Sequence, residues 1–234
     1  MTAPPNDTTW RPLYVAGGVG GLVFILLVLI PLVVTLAAPV PTGTAALLGY
    51  VSDHRVAYVV QLVCFVGLSV PALLTFAATS VALVGVNRGV AAIGGLLGAG
   101  SEIVALAVGS SPPSLHGGLV SLSDAYNAAP SAAERERVLA AAEALIASTN
   151  AMPWAGILTA AAILTLSAIM GRSIFGRALA VVGIVAGALG VASEALRPLI
   201  GPAYAVFGLL LPLWFGWVGL RLLRRAGRRD AAGA

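Results

Sequence analysis

Two acidic side chains stand inside stretches that otherwise belong in hydrocarbon. Glu102 lies in GAGSEIVALAVG, Gly98–Gly109, and Glu194 lies in GALGVASEALRP, which starts at Gly187. A carboxylate at membrane depth costs of order 2 to 3 kcal/mol or more, so it must face a polar interior, carry a proton or find a hydrogen-bond donor. Aligning GLLGAGSE with GALGVASE matches Gly95 to Gly187, Gly98 to Gly190, Ser101 to Ser193 and Glu102 to Glu194. A duplicated hairpin is one source of this echo; chance, in a chain so rich in Gly, Ala and Leu, is the other. The surroundings of the two acids differ. Glu194 precedes Arg197 by three residues, so the two can pair on one helix face near the outer surface. Glu102 has no basic residue within a turn, and the partners open to it are Ser101, Gln61, Arg55 and Arg197. One reading makes Glu102 part of a polar pocket opening outward; the plainer one makes it a hydrogen-bonded tie between helices.

Other chemistries find less support. Asp53, His54, His116 and Asp124 are residue types that bind divalent ions, but their spacing matches no recognised metal motif, and no metal or cofactor is expected. Asp53 is read at the start of a membrane helix, where negative charge is favoured, and His116 as a solvated loop residue. All 13 basic residues are arginine, so Schiff-base chemistry and a phosphate-loop lysine are excluded. Gly67 to Pro71 fail the G-x-S-x-G nucleophile pattern, and the single cysteine, Cys64, sits in an apolar run. The glycines of AGGVGGL open a membrane helix and are no dinucleotide loop. Gly17 with Gly21, Gly94 with Gly98, and Gly183 with Gly187 have the four-residue spacing that lets helices approach closely.

The elements that carry these residues follow from composition. The chain has 234 residues, 59% hydrophobic and 9% charged, where a soluble domain carries about a quarter charged residues. It reads as an all-α, polytopic membrane protein with a single domain over residues 1–234. Apolar stretches of about 20 residues, enough to cross a bilayer, run from Tyr14 to Leu36, Val56 to Ala77, Val90 to Val108, Pro153 to Met170, Ala178 to Leu196 and Tyr204 to Leu223. The first is too long for a signal-peptide core and reads as a retained helix. The second overshoots towards Val86, and Pro71 should kink it.

Nine arginines fall on one side of these six helices: Arg11, Arg88, Arg172, Arg177, Arg221, Arg224, Arg225, Arg228 and Arg229. Four fall on the other: Arg55, Arg135, Arg137 and Arg197. The positive-inside rule then places both termini in the cytoplasm, with tails at 1–12 and 225–234. The net charge of +4 therefore reads as topology and not as nucleic-acid binding. Arg221, Arg224, Arg225, Arg228 and Arg229 are an orientation signal that can also meet anionic lipid. Trp10, Tyr14, Trp214 and Trp217 are read as an inner aromatic belt, and Tyr50, Tyr58, Trp154 and Tyr204 as an outer one.

One connection is long, the outer loop at 110–150. It begins with the turn-rich SSPPSLHGG and then carries an amphipathic helix at about 131–148. Ser131 and Glu134 form a capping box there, and Val138, Leu139, Ala142, Leu145 and Ile146 share one face. That helix lies on the outer leaflet or covers the bundle.

The segment SLSDAYNAAPSAAERERVLAAAEALIAS, the later IMGRSIFGRALAVVGIVAGALG and the final LWFGWVGLRLLR resemble an uncharacterised bacterial family of small six-span membrane proteins, a domain of unknown function. The resemblance runs from about Tyr14 to Arg225. It implies a topology and carries no catalytic residues. Three functions stay open: a membrane protein that binds or passes a small or amphipathic molecule through an outward-facing polar cavity at Glu102, an intramembrane enzyme pairing Glu102 with Glu194 or Asp124, and an accessory packing protein without a ligand. A non-enzyme is the favoured side of that choice.

Overall fold

The computed structural model describes residues 9–108, 115–150, 154–196, 199 and 205–227. Among them the regular structure is helical: α1 (Arg11–Ala37), α2 (Thr44–Asp53), α3 (Arg55–Gly67), α4 (Ser69–Leu83), α5 (Arg88–Val108), α6 (Gly117–Ala128), α7 (Ala132–Asn150), α8 (Trp154–Met170), α9 (Gly176–Ala195) and α10 (Ala205–Gly227). Six stretches are long and apolar enough to cross a membrane: Arg11–Ala37, Arg55–Leu83, Arg88–Ala107, one within Ala132–Met170, Gly176–Ala195 and Val206–Gly227. They carry large apolar side chains on their outsides, such as Leu36 and Leu96, each 74% exposed, which an aqueous surface would not tolerate in such rows. The second stretch is interrupted. α3 stops at Gly67, the residue whose carbonyl the Pro71 ring would crowd, and α4 resumes at Ser69.

The chain divides into two units. The first comprises Met1–Leu26, Leu68–Val104 and Pro153–Ala234, hence the start of α1, then α4, most of α5, α8, α9 and α10. Its helices meet through glycines, because a missing Cβ lets one backbone reach another. Along α9, Gly190, Gly187 and Gly183 lie in turn against Ala160, Leu164 and Ser167 of α8, so the two helices run antiparallel. Gly94 of α5 rests on Leu166 of α8, while Gly95 and Gly98 rest on Ser80 and Phe76 of α4. Gly17 meets Leu74 and Ala78 of α4, and Gly21 meets the backbone of Phe215 and Gly219 of α10. All six glycines singled out by spacing sit at such close approaches. Thr75 adds an interhelical bond, its hydroxyl donating to the Gly17 carbonyl at 2.9 Å.

The core of this unit is aromatic. Trp214 is fully buried beside Phe76 and Phe215, with ring centroids 5.9 and 5.2 Å away, and its indole N–H donates to the Ser167 hydroxyl at 3.1 Å. The inner belt expected from sequence is thus corrected for two residues. Trp214 faces the protein, and Tyr14, 3% exposed, lies beneath the Arg225 guanidinium at 5.0 Å.

The second unit comprises Leu27–Gly67 and Ala105–Met152. Two of its helices, α2 and α6, fall where the sequence reading had connections. Leu47, Leu48, Tyr50 and Val51 of α2, Tyr58 of α3, Leu115, Leu119 of α6 and Ala142 of α7 form one core cluster. Leu139, Leu145 and Ile146 of α7 pack against it, so the apolar face of α7 is spent on neighbouring helices. The Ser131 hydroxyl accepts from the Glu134 N–H at 3.3 Å, half of the expected capping box.

Both outer-belt tyrosines described in this unit are buried. Tyr58 donates to the His116 carbonyl at 3.0 Å and accepts from its N–H at 2.8 Å, and Tyr50 donates to the Ala38 carbonyl at 2.9 Å. Tyr204 lies outside the described residues; Trp10 and Trp154 are exposed.

Candidate functional site

Glu102 is 6% exposed in the first unit and is met by hydroxyl groups from three helices. Ser101, its neighbour on α5, donates to Oε1 at 3.2 Å and also bonds the Gly98 carbonyl at 2.7 Å. Thr159 of α8 donates to the same carboxylate oxygen at 3.5 Å. The buried Ser69 of α4 interacts with the carboxyl group as well. Among the described residues no basic side chain pairs with it. The helix positions explain the convergence: Gly98, one turn before Glu102, brings α5 onto Phe76 of α4, and Gly94 brings it onto Leu166 of α8. A carboxyl group enclosed by hydroxyls can exchange a proton or accept a hydrogen-bond donor from a ligand, since a hydroxyl can donate or accept as required.

Glu194 is 4% exposed and therefore buried. Its carboxylate lies against Gly156 of α8, where any Cβ would overlap it. The absence of a side chain at Gly156 makes the room that buries the acid. Arg197, the expected partner, lies outside the described residues. Gly156 and Thr159 are three residues apart on α8 and therefore neighbours on its surface. Glu102 and Glu194 thus approach one side of α8 within a turn of each other. They also hold matching places: each follows by four residues a glycine that packs beneath an aromatic ring, Phe76 over Gly98 and Phe207 over Gly190.

The other expected site residues belong to the second unit. Gln61 is 2% exposed on α3, and its Nε2 has no hydrogen-bond partner among the described residues. Asp124 of α6 is engaged by Arg55, whose two terminal nitrogens donate to its two oxygens at 2.8 and 3.0 Å. Both side chains are more than half exposed, 54% and 55%. An exposed pair in water contributes at most about 1 kcal/mol. Arg55→Ala should therefore lower thermal stability by no more than that, with the loss shrinking in high salt; a salt-independent loss several times larger would show that this pair holds α6 in place.

His116 is the N-cap of α6 and not a solvated loop residue: its Nδ1 accepts from the Gly118 N–H at 3.0 Å. His54 stacks on Tyr50 at 4.6 Å, and Asp53 closes α2 immediately before α3 begins. Sequence reasoning missed Ser69 and Thr159. Each is a hydroxyl in an otherwise apolar stretch, which was the available signal, but nothing in the sequence says which helix faces they share.

No family model, curated protein or solved structure matches the chain.

Proposed function

We propose that this chain is a six-span protein of the bacterial cell membrane, of the uncharacterised kind its sequence resembles, with both termini cytoplasmic and arginines at its inner end meeting anionic lipid. In this reading it binds or passes a small or amphipathic molecule through a polar site at Glu102 that opens to the outer side. The observation that carries it is the 6% exposed Glu102, met by hydroxyls and by no cation among the described residues. Hydroxyl partners leave its negative charge available to a ligand bearing an ammonium group or another donor.

The test uses ethidium, a cationic amphiphile, with the protein in liposomes. Wild type should show saturable binding, Glu102→Gln should lose it by more than roughly tenfold, as expected for a lost charge-assisted bond, and Ser101→Ala should weaken it less. If Glu102→Gln and Glu102→Leu both bind as wild type and change stability alone, Glu102 is a packing residue and the reading fails.

A second reading is favoured by one observation, the meeting of Glu102 and Glu194 on one side of α8. Two carboxyl groups so placed suit an intramembrane enzyme that uses one as acid and the other as base. Asp124, already engaged by Arg55, is the weaker partner for that role.

A further inference from the structure

The helix contacts of the first unit fix which ends lie together. α1 runs antiparallel to α4 and α10, α5 to α4 and α8, and α9 to α8 and α10. The starts of α1, α5 and α9 therefore gather with the ends of α4, α8 and α10. Arg11, Arg88, Arg172, Arg177, Arg221, Arg224 and Arg225 are all at this end. The acids described in this unit, Glu102 and Glu194, sit at the other, Glu194 about 25 Å along α9 from Arg177.

Most of these arginines are exposed, but Arg221 and Arg225 are half-buried, and the Arg221 Nε is fully buried with no hydrogen-bond partner among the described residues. A buried cationic donor left unmade is costly, and native proteins satisfy such groups with a partner. Arg221 faces the turn between α8 and α9. Its Nη2 comes within 4.0 Å of the point where a Cβ of Gly176 would stand, and Gly176 has φ +82°, a conformation that favours glycine. The bare backbone keeps the space beside the guanidinium open. Arg225 follows one turn later on the same face of α10 and lies over Tyr14, while Arg177 and Arg172 flank the turn.

We propose that Arg221, flanked by Arg225 and Arg177, is a seat for the phosphate group of an anionic phospholipid. The planar fork of arginine matches two phosphate oxygens, so the seat is more selective than a diffuse basic surface. The phospholipid is favoured over free phosphate because apolar side chains flank the seat: Leu220 is 43% and Leu213 51% exposed on α10, and Ile174 is 38% exposed in the turn. Acyl chains would cover these residues while the phosphate meets Arg221. The seat rests on the reading of the chain as membrane-spanning and goes beyond it by naming one arginine among many.

The full-length protein in phosphatidylcholine nanodiscs, titrated with phosphatidylglycerol and read by native mass spectrometry, tests it. Arg221→Gln should weaken lipid retention roughly thirtyfold, the scale of a charge-assisted hydrogen-bonded contact plus its charge. Arg224→Gln, which removes an equal charge from an exposed position, should weaken it no more than roughly fivefold. Arg221→Lys keeps the charge and the fold but loses the fork, and should still cost roughly tenfold. Equal losses for Arg221→Gln and Arg224→Gln, or an unchanged Arg221→Lys, overturn the seat in favour of diffuse attraction. Displacement of the lipid by millimolar inorganic phosphate overturns the assignment to phospholipid. A protein that stays dispersed without detergent or bilayer defeats the membrane reading itself, whatever the arginine variants do.

Discussion

Trp214→Ala is expected to cost about 3 to 5 kcal/mol, the range for emptying a large aromatic site whose surroundings cannot collapse. Trp214 is fully buried in the first unit, and it touches three helices besides its own: Phe76 of α4 at 5.9 Å, the Ser167 hydroxyl of α8 at 3.1 Å, and Gly183 of α9, whose missing Cβ leaves room for the indole nitrogen. Removing the ring leaves a void at the junction of four helices and leaves the Ser167 hydroxyl only its long bond to the Met170 sulfur, at 3.8 Å. Trp214→Phe keeps most of the volume and forfeits the hydrogen bond alone, so its cost should be nearer 1 kcal/mol. Thermal unfolding in a fixed detergent separates the two. If both variants melt within about 1 kcal/mol of wild type, Trp214 is a surface residue after all and belongs to the belt that its type suggested.

Gly187→Leu should be comparably damaging for a different reason. A Cβ at this position would stand 2.6 Å from the Leu164 nitrogen and 2.8 Å from the Ala160 carbonyl oxygen. These are backbone atoms that cannot turn aside as a side chain does. The remaining solution is separation of α8 from α9, which forfeits packing along the whole contact and costs about 3 kcal/mol or more. The same separation moves Gly156 away from Glu194, so the variant should also disturb the acid side of α8. Gly49→Ala is the control: Gly49 has nothing within 4 Å of its Cβ direction, and the change should be neutral or slightly stabilising in a helix. A Gly187→Leu protein as stable as wild type would mean that α8 and α9 do not pack through this ridge.

Much of the chain's organisation was written in its residues. Runs of about 20 apolar side chains have one stable arrangement in a membrane, because every backbone group must be satisfied within the helix itself. The six long apolar helices could therefore be placed to within a few residues. Pro71 marked the break between α3 and α4, since its ring conflicts with the carbonyl four residues back wherever the helix lies. Glycines four apart pointed to close approaches, and Glu102 stood out because no acid occupies such a run without cause.

What the sequence left open were matters of partnership. α2 and α6 are short, of 10 and 12 residues, and contain glycines and serines, with a histidine capping each. They become helices because Leu47, Leu48, Leu115 and Leu119 bury one another, a gain invisible along the chain. Residue type likewise could not say which way Trp214, Tyr14, Tyr50 and Tyr58 face. A ring with one polar atom satisfies that atom as well on a buried carbonyl or hydroxyl as on a lipid headgroup. The tertiary structure alone decided that Glu102 draws on Ser69 and Thr159 from other helices, and that Gly156 admits Glu194 to the interior. The sequence by itself determined which segments are apolar helices and where an acid needs explaining. Only the packing of those helices decided what surrounds it, because contacts between residues far apart in the chain depend on which faces meet.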